Sequence, residues 1–177
     1  MVAVGLFYPT MGSHKTISAS VSFAVRVFDM LPKTGQTTIY QDGDDGFYQA
    51  GAPLSGPRFK DNNDGTISDL VTGLMWQQAA NANLVSWSDV IIYCEGLSLA
   101  GFNDWRVPNV NELSTLINFS RTNPALTPGF FQGLFYVFWT STTYKGIPSM
   151  AWYVDIITGN VGYWPKFAIC TTLAVRS

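Results

Sequence analysis

Charge is scarce in this chain: Lys, Arg, Asp and Glu make up 12% of 177 residues, and the formal net charge is −2. No run of Lys or Arg occurs, so the basic footprint that non-specific nucleic-acid binding needs is missing, and nucleic acid is not an expected partner. No apolar stretch reaches the roughly 18 residues that a spanning helix requires, so membrane insertion is not expected either. Histidine is nearly absent. The only one, His14, sits in a Gly-Ser-His-Lys stretch and reads as a solvated loop residue rather than a general base, which argues against Ser-His-Asp catalysis. Cysteine occurs twice, as Cys94 and Cys170, and two distant thiols with one remote imidazole do not make a zinc set. The expectation is therefore a protein without enzymatic activity, cofactor or metal.

What is abundant points to one compact core. Apolar residues are 47% of the chain and aromatics 15%, with 16 glycines, a composition that suits short strands joined by tight turns and argues against disorder. The length suits one core, or one core with an ordered arm. The opening MVAVGLFYPTMGSHKTISASVSFA lacks a basic start, and Pro9 interrupts its short apolar region, so it does not read as a convincing signal peptide.

Residues 17–28, ISASVSFAVRVF, alternate cleanly, with Ile17, Ala19, Val21, Phe23, Val25 and Val27 on one face and Ser18, Ser20 and Ser22 on the other. That pattern predicts a half-buried strand within an N-terminal arm, residues 1–30. Glycines and prolines then punctuate residues 31–57, which read as an extended lead-in. A main domain is expected over residues 58–177. It opens with RFKDNNDGTISDLVTGLMW, read as three strands joined by an Asn-Asp-Gly turn and a Thr-Gly turn. The Asp/Asn cluster fits a turn better than an EF-hand-type loop: with Gly65 in the sixth position, Lys60 falls where the first oxygen ligand belongs, and no bidentate Glu follows.

Two helices come next. Ser86 is a good N-cap, and Trp87, Val90, Ile91, Cys94 and Leu97 share one face at helical spacing. The second helix starts after Pro108, with Asn109 and Glu112 in a capping-box pattern and Leu113, Leu116 and Ile117 as its buried stripe. The remainder reads as strands: YVFWTSTTY, AWYVDII, a Thr-Gly-Asn turn, NVGYWPKF and TTLAVRS. Hairpins, two helices and more hairpins predict an α+β fold with antiparallel sheets, since no strand-helix-strand repeat is present.

The ordered series RFKDNNDGTISDLVTGLMWQQ, W-S-D-V-X-X-Y-C, LAGFNDWRVPNVNELSTLI, FWTSTTY, AWYVDIITGNV and AVRS resembles the Legionella collagen-like protein C-terminal domain family across most of residues 58–177. The lead-in LPKTGQTTIYQDGDDG resembles segments that precede that domain. The resemblance implies a C-type lectin-like fold, two helices packed on antiparallel sheets with a long loop region, in exported or cell-surface proteins. It also implies a binding role, since the family's named member binds sulfated polysaccharide. Family members often bridge the first helix to a cysteine near the position of Ala174. Here Cys170 lies four residues earlier, about 13 Å along an extended strand, so a Cys94–Cys170 disulfide and a free, core-packed Cys94 both remain open. The formylglycine-generating oxidases share a distantly similar fold and a reactive cysteine pair, but a Cys94 on a buried helix face is poorly placed for such chemistry.

Asp104-Trp105-Arg106 with Pro108 could be a catalytic corner or a structural one. With no general base available, and with the family's Asp-Trp-Arg-Leu-Pro pattern beside it, it reads as structural: Trp105 fills space between helices and sheet, and Arg106 partners Asp104, Glu112 or a carbonyl. Trp76, Trp87, Cys94, Trp139 and Trp152 are assigned to the same frame. The candidate ligand-binding set is Tyr144, Lys145, Tyr153, Asp155, Asn160, Tyr163, Trp164 and Lys166, which combines aromatic faces for sugar C–H surfaces with polar groups for hydroxyl or sulfate. In AWYVDII, Trp152, Val154 and Ile156 share the expected core face, and Tyr153 and Asp155 the exposed one.

The leading reading is thus an adhesin-like glycan-binding domain. An alternative is a variable receptor-binding protein of a diversity-generating retroelement, which would recognise a surface protein with this same region. A third reading is an oligomerisation domain, a homo-oligomer built through residues 17–28. That strand echoes the chain's end, since SFAVRV at 22–27 resembles TLAVRS at 172–177. It therefore reads either as an edge strand of this domain or as the closing strand of a neighbouring copy.

Overall fold

The computed structural model describes residues 31–52, 56–81, 83–133 and 137–177. The strand expected at residues 17–28 and His14 lie outside the described residues. The lead-in is less extended than its glycines and prolines suggest, because its aspartates build a capped turn. Asp44 accepts the Phe47 N–H at 2.9 Å and starts a short helix, α1 (Asp45–Tyr48), while its other oxygen takes the Tyr40 N–H at 2.9 Å. The lead-in also docks on the domain, since the Phe119 N–H donates to the Thr34 carbonyl at 2.8 Å.

Three consecutive hairpin strands follow, β1 (Phe59–Asp61), β2 (Thr66–Asp69) and β3 (Met75–Gln77). In the first turn Asp61 accepts the Asn63 N–H at 2.8 Å, and Asp64 accepts the N–H and hydroxyl of Thr66 at 3.0 and 2.6 Å. Gly65 sits there at φ +86°, a left-handed conformation that a side chain would strain. These carboxylates are thus engaged in turn formation, as the spacing predicted.

Helix α2 (Trp87–Glu95) starts at the Ser86 cap and buries Val90 and Cys94. Helix α3 (Val110–Ser114) carries the complete capping box: the Glu112 N–H reaches Asn109 Oδ1 at 2.9 Å, and the Asn109 N–H reaches Glu112 Oε2 at 2.8 Å. Strands β4 (Val137–Thr143), β5 (Met150–Asp155) and β6 (Val161–Pro165) form a second antiparallel sheet in that order. The last strand, β7 (Val175–Arg176), returns to pair with β3, giving the first sheet the order β1-β2-β3-β7. The fold is α+β with antiparallel sheets.

The segment leading into β7 joins the two sheets. The Trp139 N–H donates to the Thr171 carbonyl at 2.9 Å on the β4 side, and the Gln77 N–H donates to the Ala174 carbonyl at 2.9 Å on the β3 side. Residues 170–175 are all buried. Their alternation feeds two cores: Leu173 and Val175 enter one with Ile67, Trp76, Leu113, Phe138 and Val154, while Cys170 and Ala174 enter the other with Val90, Cys94, Trp105 and Trp139. Trp76 lies at the centre of the first sheet, paired with Ile67 and Val175 across three strands, all three fully buried.

Each part of the Asp-Trp-Arg corner makes contacts within the fold. Arg106 exchanges two backbone hydrogen bonds with Val175 at 3.0 and 2.9 Å, which extends the first sheet beyond β7. Its guanidinium binds Glu112 through two hydrogen bonds of 2.8 and 2.7 Å, the planar fork that arginine supplies and lysine cannot. Burial works to raise the Glu112 pKa, but the Arg106 fork, the Asn109 N–H and the Arg106 charge together hold it below its ordinary value. Asp104 pairs instead with Arg176, at 2.7 and 3.1 Å, and the Arg176 guanidinium lies 3.8 Å from the Phe102 ring centre. Pro108 is buried, and Trp105 is 2% exposed with its indole N–H directed to the Leu99 carbonyl at 3.3 Å.

Both cysteines are buried free thiols in the second core, the second of the two readings left open for Cys94. Burial pushes the Cys94 pKa up to about 12, with the Glu95 charge adding to it, and burial raises that of Cys170 to about 11. The native protein should therefore resist alkylation at pH 8 and release two reactive thiols per chain on denaturation; a bridged pair would release none without a reductant. The sign of the pH dependence follows from the same shift. The unfolded thiol ionises near its ordinary value of 9.0, so the stability this burial preserves is complete below that pH and is lost as the pH rises towards about 12. Denaturant midpoints measured across that window should fall.

Candidate functional site

Strand β6 lies at the edge of the second sheet and carries two of the four candidate aromatics, Tyr163 and Trp164. Tyr163 pairs with Trp152 and Trp164 with Ala151 across the β5–β6 ladder, so Tyr163 and Trp164 project to opposite faces. On one face the Tyr144 and Tyr163 rings stack, with centroids 4.1 Å apart and planes 3° from parallel, and Trp152 meets both edge-on at 5.4 and 5.7 Å. On the other, Tyr153 packs against Trp164 with centroids 4.8 Å apart. Tyr163 and Trp164 remain 43% and 40% exposed at the rim.

Two expectations about this strand pair need correction. Trp152 is half-buried, whereas Val154 and Ile156 on its face are fully buried. Tyr153 is half-buried too, packed against the second core rather than open to solvent. Both follow from a sheet covered on its two faces over part of its length: Phe138 and Val154 enter the first core, while Trp139 and Ala151 enter the second.

The polar candidates divide. The Asp155 carboxylate is occupied in the β5–β6 turn, accepting the Ile157 N–H at 2.8 Å and the Thr158 hydroxyl at 2.7 Å. Asn160 is exposed in that same turn, at the end of the hairpin away from Tyr144 and Trp164. Lys166 donates to the Thr143 hydroxyl at 2.8 Å, with its ammonium 4.0 Å from the centre of the Trp87 ring, whose N–H in turn reaches the Thr140 carbonyl at 2.8 Å. Lys145 is exposed beside Tyr144. The structure thus places Tyr144 and Tyr163 on one face of the β6 edge and Tyr153 and Trp164 on the other, with Lys145 exposed next to Tyr144 in the chain and Lys166 held against Trp87, and it leaves Asp155 and Asn160 apart.

Sequence reasoning missed two members of this surface. Phe167 and Ile169 follow β6 directly and are 83% and 63% exposed. Their outward position follows from Cys170, which pairs with Val85 and faces the second core, and that pairing has no signal in the sequence. Among the described residues no cluster of three or more His, Cys, Asp or Glu could hold a metal ion, and no helix is long and apolar enough to cross a membrane.

A family model described as the Lcl C-terminal domain matches residues 65–176. No curated protein matches the chain.

Proposed function

The chain belongs to the Lcl C-terminal domain family, and from that membership together with the β6 edge we propose a non-enzymatic, adhesin-like module of the bacterial cell surface that binds glycan, with sulfated polysaccharide as the preferred class. The observation that carries this reading is the partly exposed pair Tyr163 and Trp164 at the sheet edge, Tyr163 stacked on Tyr144 and Trp164 packed at a tilt against Tyr153, with the exposed Lys145 next to Tyr144 in the chain. Rings fixed by packing offer flat apolar faces at little entropic cost, and an exposed ammonium supplies the complement to a sulfate. Two antiparallel sheets, two core helices and a closing strand that returns beside β3 support the C-type lectin-like reading of the fold. The non-enzymatic reading draws on thiols whose burial holds them protonated at neutral pH.

A glycan array that includes sulfated polysaccharides tests this directly. Wild type should bind, and Tyr163→Ala/Trp164→Ala should lose roughly tenfold or more of its affinity, since two exposed rings of this kind contribute about 1 kcal/mol each. Both substitutions lie at a rim, so the melting temperature should change little. Binding by the double variant equal to wild type would misplace the site. Absence of any bound glycan would overturn the glycan class.

A second reading, a protein ligand, is favoured by Phe167 and Ile169. An exposed aliphatic side chain beside an exposed ring that no neighbouring aromatic holds in place fits the apolar centre of a protein interface. It corresponds to the variable receptor-binding alternative. Under that reading Phe167→Ala/Ile169→Ala abolishes ligand capture while leaving polysaccharide binding intact.

A further inference from the structure

No strand among the described residues pairs with the outer edge of β6. The ladder shows which backbone groups that edge presents. The Asp155 N–H donates to the Asn160 carbonyl at 2.8 Å and the Lys166 N–H to the Ser149 carbonyl at 2.9 Å, so the even-numbered residues of this stretch turn their backbone towards β5. Antiparallel alternation then points the N–H and C=O of Val161 and Tyr163 away from the sheet, where they have no partner among the described residues. Pro165 ends the edge: it has no N–H, and its carbonyl accepts from Ala168 at 2.8 Å. Exposed edges are commonly guarded by charge, yet residues 156–165 contain no Asp, Glu, Lys or Arg. The Val161 and Tyr163 side chains are exposed and share one face. An uncharged edge with unpaired donors and acceptors is a surface that accepts another strand.

We infer that the strand it accepts is β6 of a second copy, running antiparallel about a twofold axis that passes between the two Gly162 residues. This register uses every outward group, because Val161 of each copy exchanges both of its backbone hydrogen bonds with Tyr163 of the other. Sliding the strands by one two-residue repeat loses bonds in either direction. One slide sets Val161 against Pro165, which has no donor, and the other sets Tyr163 against Gly159, whose N–H is already held by the Asp155 carbonyl at 2.8 Å. In the favoured register each Val161 side chain lies directly across from a Tyr163 ring, a favourable β-branched–aromatic pair. The two Gly162 residues meet at a non-hydrogen-bonded position, where strands approach most closely, with no Cβ on either. No like charges meet along the seam. The Tyr163 and Trp164 rings stand on the faces of the joined sheet rather than in the seam, so the pairing is independent of the glycan reading.

The test uses the full chain. A seam this short is smaller than a standard interface, so the dimer should depend on concentration. Sedimentation of wild type from micromolar to sub-millimolar concentration should show the mass rising from one chain towards two. Val161→Pro removes an outward N–H and leaves the β5 ladder intact, since a proline is tolerated where the N–H faces away from the sheet. It should stay a single chain throughout and melt like dilute wild type. Val161→Lys keeps the N–H but sets two ammonium groups on the same face of the seam, so it should dimerise only at high salt. Hydrogen exchange supplies the site: the Val161 and Tyr163 amides should gain protection as wild type is concentrated, while those of Gly162 and Trp164 are protected at every concentration. A wild type that remains a single chain would overturn the inference. So would a dimer that survives both substitutions, which would put the seam elsewhere. Val161 and Tyr163 amides already protected in the single chain would overturn it too, by assigning the edge to another part of the same chain.

Discussion

Replacing Trp105 by alanine lowers the unfolding free energy by roughly 3–5 kcal/mol, the range for truncating a large buried aromatic. The ring is 2% exposed and shares the second core with Val90, Cys94, Trp139 and Ala174, so its removal opens a cavity bounded by α2, β4 and the segment before β7. Those three elements come from distant parts of the chain, and their mutual support limits how far any can move in to fill the gap. For a domain of this size the loss corresponds to a fall in melting temperature on the order of ten degrees. Trp105→Phe should cost less, because it keeps most of the volume and gives up only the hydrogen bond to Leu99. Differential scanning calorimetry on both variants checks the order. A Trp105→Ala protein that melts like wild type but no longer binds would move Trp105 from the frame into the ligand site.

That outcome separates what the sequence could and could not show about this corner. Asn109 and Glu112 were legible because a capping box is local: three residues of spacing specify both hydrogen bonds. The burial of Trp105 was expected from the resemblance to the family's Asp-Trp-Arg-Leu-Pro pattern together with the missing general base, and the ring is 2% exposed. The partner of Arg106 was not, since Asp104 and Glu112 are both within reach in sequence. The structure separates them through the return of β7, which brings Arg176 to Asp104 and leaves Glu112 to Arg106. The choice depends on a residue 72 positions from Asp104, and no local pattern carries it.

At the candidate site the same limit takes another form. Period-2 alternation correctly grouped Trp152 with Val154 and Ile156, but alternation says which residues share a face and not what covers each face. Because α2 and the segment before β7 cover the second face near Trp139, Tyr153 becomes half-buried, while Trp152 near the hairpin's open end is only partly covered. Phe167 and Ile169 were passed over for a related reason: apolar residues near the chain's end read as core until their partners are known. Asp155, which looked like a hydrogen-bonding group for a ligand, is instead the residue that makes the Thr-Gly-Asn turn close.

Loss of the Arg58 side chain should be as damaging as loss of Trp105, through charge rather than volume. Asp69 has a fully buried side chain, and Arg58 meets it with two hydrogen bonds, Nε to Oδ1 at 3.0 Å and Nη2 to Oδ2 at 2.6 Å. Arg58 also donates to the Thr115 carbonyl at 2.6 Å, so one guanidinium ties β2 to the C-terminal end of α3, 57 positions away in sequence. Arg58→Ala leaves a buried carboxylate without its cation, a change that costs about 3–5 kcal/mol. Asp69 would retain the N–H of Val71 at 3.0 Å and the Thr72 hydroxyl at 2.8 Å, which keeps the turn formed and places the loss towards the lower end of that range. Arg58→Lys should recover only part of it, since an ammonium cannot bind both carboxylate oxygens and the Thr115 carbonyl in one plane. Salt discriminates this pair from Asp104–Arg176. The first is shielded and should respond little to added salt, whereas Asp104 is 55% exposed and its pair contributes little once screened. Urea denaturation of Arg58→Ala, Asp69→Asn and the double variant, at low and high salt, yields the coupling directly. If the two single losses simply add, the bridge is a neighbouring pair without mutual dependence, and the β2–α3 junction rests on the Arg58–Thr115 hydrogen bond and on the first core, where Phe59, Ile67, Leu113 and Leu116 meet.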